Sequence, residues 1–213
     1  MPTALTSTLI VALALQAHAA DGGGWQTVAT GAITIKTRTV PGSPIREVLA
    51  EADLEASATD LQQAVLDVER FPKFMPYGRE TRFVEKPTGD GTRVVYTALG
   101  LPIVKGRDFV IVDRVVKSLN ADGTGEFITQ WQVARDRVAA RSNFVRVQTN
   151  TGSWRITSSG SGKSHVVYQF AVDPGGAIPP FLADLGNRNG VGDVFRAVER
   201  EAQRLQADRA AKK

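Results

Sequence analysis

The chain contains no cysteine, and it has only two histidines, His18 and His165. The first absence rules out disulfides, thiolate metal ligands, a thiol nucleophile and a lipidated cysteine. The second leaves a zinc site dependent on a carboxylate cluster, and none stands at helical or hairpin spacing. No metal and no cofactor are therefore expected. The nucleophile elbow G-x-S-x-G is also missing, which removes a main sequence signature of Ser-His-Asp hydrolysis. Charge of one sign is not in excess: 26 basic side chains are interspersed with 22 acidic ones, for a net +4. That pattern describes a solvated surface, not a nucleic-acid footprint.

Long apolar runs are missing too. The most continuous, Leu9–Leu15 (LIVALAL), is far below the roughly 20 residues that span a bilayer. It is followed by Ala17-His18-Ala19, the small-x-small pattern of a signal-peptidase site, although the preceding segment carries no basic side chain. The expectation is a secretory leader over residues 1–19, a short linker over 20–26, a domain over 27–208 and a charged tail over 209–213. Such a leader implies a periplasmic or secreted bacterial protein.

One string invites a nucleotide-binding reading. Gly160-Ser161-Gly162-Lys163-Ser164 resembles the end of a P-loop, but the first glycine of that motif would fall on Thr157, and the β-branched run HVVYQFAV follows where a helix should. A Ser/Gly cluster between two strand-like runs is a hairpin turn.

Before it, Ile33, Ile35 and Thr37 alternate as in a strand, Pro41-Gly42-Ser43-Pro44 turns the chain, and Val48–Leu54 returns. Over Ala58–Glu69 the period changes: Leu61, Ala64, Val65 and Val68 share a helical face, Ser57 is placed to cap it, and Pro72 and Pro76 end it. From Glu80 to Val172 about six strand runs alternate with Gly/Asn/Asp turns, which predicts an antiparallel meander. Val194, Phe195, Val198, Ala202 and Leu205 then form the apolar stripe of a long C-terminal helix. The predicted class is α+β: an antiparallel sheet that buries one face against that helix.

Few residues offer chemistry. Glu47, Glu51 and Asp53 read as solvated strand charges. Arg107-Asp108 and Asp113-Arg114 bracket the apolar run Phe109–Val112, so each is either a strand-end charge in water or a group turned inward. Tyr96, Trp131 and Tyr168 are either core or the amphipathic lining of a pocket, and periodicity alone favours core.

The string TRTVPGSPIREVLAEADLEASATDLQQAVLDVERFPKFMP resembles the opening of START lipid-binding domains, particularly their bacterial members. VVYTALGLPIVKGRDFV resembles their strand pair with a Leu-Pro turn before Arg-Asp-Phe-Val, and GSWRI and DPGGAIPPFLADL resemble the late strand and the start of the last helix. The resemblance covers Thr27 to Leu205. It implies a helix-grip fold, a curved antiparallel sheet around a long C-terminal helix, enclosing a cavity for one hydrophobic molecule or lipid. It makes Tyr96, Arg107, Asp113, Trp131 and Tyr168 the candidate cavity residues. Gly175, Gly176, Gly190 and Gly192 become a candidate lid, on the ground that permissive backbone flanks the last helix.

In sterol-carrying relatives a buried base six positions after the motif arginine meets an acid on the preceding strand. Here that position is Asp113 and Thr92–Tyr96 holds no acid, so the pair is expected to be missing. The implied function is a monomeric, non-catalytic lipid carrier or sensor with transient membrane contact. The alternative is a polyketide cyclase or aromatase, whose acid or base would come from Tyr96, Tyr168, Asp113 or Arg107.

Overall fold

The computed structural model describes residues 24–43, 45–160, 162–176 and 190–212. The expected leader, Gly186 and most of the segment between Asp173 and the last helix lie outside these residues.

Ten strands form one sheet: β1 (Gln26–Ala29), β2 (Thr34–Thr39), β3 (Arg46–Leu54), β4 (Gly78–Glu85), β5 (Thr92–Leu99), β6 (Gly106–Lys117), β7 (Glu126–Val133), β8 (Phe144–Arg146), β9 (Thr149–Gly160) and β10 (Lys163–Asp173). The order across it is β1-β2-β3-β10-β9-β7-β6-β5-β4, with β8 attached to β6. The meander expected from the turn spacing holds for β4 to β7 and for β9 with β10. It misses two features: β3 closes against β10, and β8 runs parallel to the first residues of β6. Gly160 and Gly162, both at positive φ, make the tight turn between β9 and β10, so the P-loop-like string turns a corner as expected. β1 begins at Gln26, inside the expected linker.

Helix α1 (Ala58–Leu66) is capped by Ser57, whose Oγ accepts from the Asp60 amide at 3.2 Å. It ends before the predicted Glu69. A 3₁₀ turn (Val68–Arg70) and the short α2 (Phe71–Phe74) follow, because Pro72 sits in the first turn of α2, where a missing N–H costs nothing. Proline here starts a helix and does not merely stop one. The long C-terminal helix α3 runs over Gly190–Ala210.

The main core lies between α1, α3 and one face of the sheet. Leu61, Ala64 and Val65 of α1 and Val191, Phe195, Val198 and Ala202 of α3 pack on Ala52, Leu54, Phe127, Ile156 and Val166. Burying a side chain such as Phe195 completely contributes about 1.5–3 kcal/mol. The cross-strand pairs show which residues share this face: Ile35, Ala50, Tyr168, Trp154 and Thr129 lie in one row across five strands. The opposite face carries cross-strand ion pairs, Arg38–Glu47 (2.6 Å) and Lys36–Glu51 (2.9 Å), and a His165–Asp53 hydrogen bond (2.8 Å). Glu47, Glu51 and Asp53 are thus surface charges with partners.

Polar clamps fasten α3. Buried Glu201 accepts from Arg204 of its own helix at 2.7 and 2.8 Å and from Arg70 at 2.9 Å. Arg209 donates to the fully buried Asp60 at 2.6 Å, so the expected charged tail begins inside the helix and is tied to α1. Hydrogen bonds from Arg204 first, then from Arg70, hold the Glu201 carboxyl below the ordinary glutamate value of 4.5, against a desolvation that pushes it up. A depressed folded-state pKa contributes stability that is present above the unfolded value and is lost as pH falls through the folded one. We expect the stability difference between the native chain and Glu201→Gln to be constant near neutrality and to shrink below about pH 4.5. Urea titrations across pH measure it, and a difference that stays flat into acid contradicts the assignment.

Candidate functional site

Strand register decides which side chains face the interior. Leu99 pairs with Arg107, Val95 with Ile111 and Arg93 with Asp113, while Asp113 pairs with Trp131, Trp131 with Gly152 and Gly152 with Phe170. All of these point to the α3 side. Tyr96 has the opposite parity. It lies with Val94, Ala98 and Val110 in a separate small cluster covered by Ala134, Val138 and Phe144. There it is fully buried, donates to Asp108 at 3.1 Å and accepts from Arg141 at 3.2 Å. Burial above all pushes its phenol up, so it stays protonated as the donor to Asp108. The expectation that Tyr96 faces the interior is corrected: in a strand a shift of one residue reverses the face.

The other four candidates share the inner face. Trp131, Tyr168, Trp154 and Phe195 form an aromatic stack running from the sheet to α3. Trp154 and Tyr168 have centroids 4.1 Å apart at 15°, Tyr168 and Trp131 are 5.9 Å apart, and Trp154 and Phe195 are 5.8 Å apart. Trp131 lies flat across Gly152, where an added Cβ would sit 2.3 Å from its ring, and its Nε1 donates to Asn150 at 2.8 Å.

Along this face burial is uneven. Phe127, Ile156 and Val166 are closed off by α1 and α3, whereas Leu99, Phe109, Ile111, Trp131, Tyr168 and Phe170 keep accessible surface although they stand on the concave side of the sheet. Apolar side chains at such positions are ordinarily covered. Among the described residues, α3 covers one half of the concave face and leaves the other half partly bare.

Asp113 is held in place. Its carboxylate accepts from Arg93 Nε at 2.8 Å, from Arg93 Nη2 and from the Thr129 hydroxyl, while Arg93 Nη1 donates to the Leu66 carbonyl at 2.8 Å. The side chains of Arg93 and Asp113 are 4 % and 7 % exposed. The expectation of a missing charge pair is therefore overturned. A pair is present with its signs exchanged, the base on β5 and the acid on β6. The sequence signal was available, since Arg93 stands in the very segment searched for an acid and faces Asp113 across one hairpin.

Arg107, 3 % exposed, lies at the other end of β6. It donates to the carbonyls of Pro174 (3.1 Å), Gly175 (2.8 Å) and Lys105. It thereby fixes the end of β10 where the chain leaves the sheet. Gly175 and Gly176 sit beside it at φ 61° and 63°. Gly190 and Gly192 are in the first turn of α3.

An antiparallel sheet gripping a C-terminal helix over a partly bare apolar face defines the helix-grip class of START domains. Over residues 54–199 the chain matches the family described as polyketide cyclase / dehydrase and lipid transport, and it belongs to that family. Rat phosphatidylcholine transfer protein is 26 % identical over 193 residues, 89 % of this chain and 88 % of that protein. A STAR-related lipid transfer protein from Xanthomonas axonopodis superposes with a TM-score of 0.70 at 24 % identity, covering 84 % of this chain and 99 % of that one. An aromatase/cyclase from a Streptomyces species superposes with a TM-score of 0.52 at 19 % identity, covering 75 % of this chain and 94 % of that one.

Breaking a buried ion pair strands the surviving charge, whereas removing both partners does not. Arg93→Met is expected to destabilise the fold by about 3–5 kcal/mol, and Arg93→Met combined with Asp113→Leu by much less. Urea unfolding of both variants checks this, and equal losses would show that the stranded charge is not the cause.

Proposed function

We propose that the protein holds one lipid molecule between its sheet and α3 and acts as a non-catalytic carrier or sensor in the bacterial cell envelope. The observation that carries this reading is the apolar half of the concave face that keeps accessible surface. Transfer of an acyl or ring system from water onto such a lining gains about 0.8 kcal/mol per methylene. The family and the lipid-transfer relatives support the ligand class, and the leader-like run at Leu9–Leu15 supports export.

The enzyme reading has in its favour the polyketide cyclase / dehydrase part of the family's description and the Streptomyces aromatase/cyclase fold, and it needs a free acid or base beside the substrate. Of the four groups available to it, Tyr96 faces the other way, Asp113 is engaged by Arg93 and Thr129, and Arg107 is engaged by three carbonyls. Tyr168 is left. Its burial pushes the phenol well above the usual tyrosine range, which makes it a hydrogen-bond donor and a poor base at neutral pH. The balance supports binding without turnover. Mass spectrometry of small molecules that co-purify with the protein from its native host tests this. We expect a lipid in about one-to-one amount, and a polyketide fragment would replace the carrier with the cyclase.

A membrane contact belongs to the same proposal. The turn between β5 and β6 presents Ile103, 87 % exposed at φ 71°, beside Tyr77, 45 % exposed at φ 59°. A β-branched residue in left-handed backbone costs on the order of 1–3 kcal/mol, so both strain and exposure need a reason. The two turns are joined by the Gly100 amide, which donates to the Tyr77 carbonyl at 2.8 Å, and exposed Arg79 and Lys105 flank them. An apolar tip ringed by cations suits an anionic bilayer, where each basic side chain contributes about 1 kcal/mol. We expect the protein to float with vesicles containing phosphatidylglycerol. Ile103→Asp should lower the bound fraction several-fold, and unchanged flotation of that variant rules the tip out as the contact.

A further inference from the structure

The interior contains several polar groups, and the charged ones are engaged, while the buried Thr81 hydroxyl on β4 has no partner among the described residues. Arg93 and Asp113 neutralise each other, Thr129 donates to Asp113, Trp131 donates to Asn150, and Arg107 is spent on backbone carbonyls at the rim. Tyr168 differs. Its ring is wedged between Trp154 at 4.1 Å and Phe170 at 4.7 Å, and its surroundings are desolvating enough to push the phenol up strongly. The hydroxyl makes no hydrogen bond to any described residue. The side chain nevertheless keeps accessible surface, unlike its neighbour Trp154 on β9.

The hydroxyl is not sealed from solvent, so a ligand that covers it must supply an acceptor or leave a donor unpaired at a cost of roughly 1–3 kcal/mol. Its site is also far from the rim. Tyr168 stands five residues before the end of β10 at Asp173, about 17 Å along the strand.

Resting on the lipid-binding reading above, we propose that the Tyr168 hydroxyl is the polar anchor of the interior and donates to one carbonyl or hydroxyl oxygen carried within the apolar body of the ligand. The chemical class follows from the surroundings. A protonated phenol offers a donor, so the ligand must supply an acceptor. Of the two buried cations on the inner face, Arg93 is neutralised by Asp113 and Arg107 is engaged by backbone carbonyls, so neither is left to meet a carboxylate or phosphate here. A lipid that carries a formal charge keeps it near the rim and presents an uncharged oxygen, such as an ester, a ketone or a ring hydroxyl, to Tyr168. Sequence periodicity could not have shown this, because Tyr168 alternates with its neighbours like any core residue.

The test compares Tyr168→Phe with the native chain for two fluorescent probes, decylpyrene and methyl pyrenedecanoate, which differ in one ester group. The phenylalanine keeps the stacking and removes only the donor. Loss of a hydrogen bond in a site that the bound ligand closes to water predicts about tenfold weaker binding of the ester, with less than twofold change for the hydrocarbon. Equal weakening of both probes, or no weakening of the ester, overturns the anchor while leaving the lipid-binding reading intact. Failure of the native chain to bind either probe overturns that reading and the anchor with it.

Discussion

One helix cannot cover the concave face of this sheet. Nine strands side by side at about 4.8 Å spacing would span roughly 40 Å if flat, against a helix only about 10 Å across. The sheet must curve, and among the described residues α3 and α1 still leave part of its inner face uncovered. Everything else in the molecule follows from that mismatch between a wide apolar face and a narrow lid. Where α1 and α3 lie together, over Leu54, Phe127, Ile156 and Val166, the result is ordinary dry core. Beyond them, among the described residues, Phe109, Ile111, Trp131 and Phe170 are left partly bare, and this is the surface the proposed lipid would cover.

Polar groups serve this arrangement by holding its boundaries. Glu201 and Asp60 pin α3 against α1, Arg93 and Asp113 tie three strands to the end of α1, and Arg107 fastens the point where β10 leaves the sheet. Each is buried and each is paired with at least one opposite charge or backbone acceptor, as low-dielectric surroundings demand. The outer face repeats the device on a smaller scale. Asp108 receives a two-point clamp from Arg146 at 2.8 and 3.0 Å and a bond from Tyr96, and this draws β8 onto β6. None of these groups needs to act chemically for the fold to require it, which is why a search for reactive clusters finds so little.

Features that depend on near neighbours in the chain were legible beforehand. Alternation marked β2 and β3, Ser57 marked the start of α1, and the spacing of Val194, Phe195, Val198 and Ala202 marked α3. The short elements escaped. β1 and β8 have four and three residues, too few for a period to register, and β8 exists only because β6 offers it an open side. Pro72 was misjudged for a similar reason: a proline stops one helix and starts another by the same missing N–H, and only the following turn tells which.

By itself the sequence determined the class of fold, an apolar-faced antiparallel sheet with a helix to cover it, because hydrophobic period and turn chemistry are local. It also determined that no thiol, disulfide or histidine cluster takes part. The tertiary structure decided which face each side chain serves, turning Tyr96 outward while its neighbours on the strand point in. It also decided that Arg93 meets Asp113 across a hairpin and that the Tyr168 hydroxyl makes no hydrogen bond to any described residue. Those are matters of strand register, and a one-residue change in register reverses them, so hydrophobic period alone could not carry them.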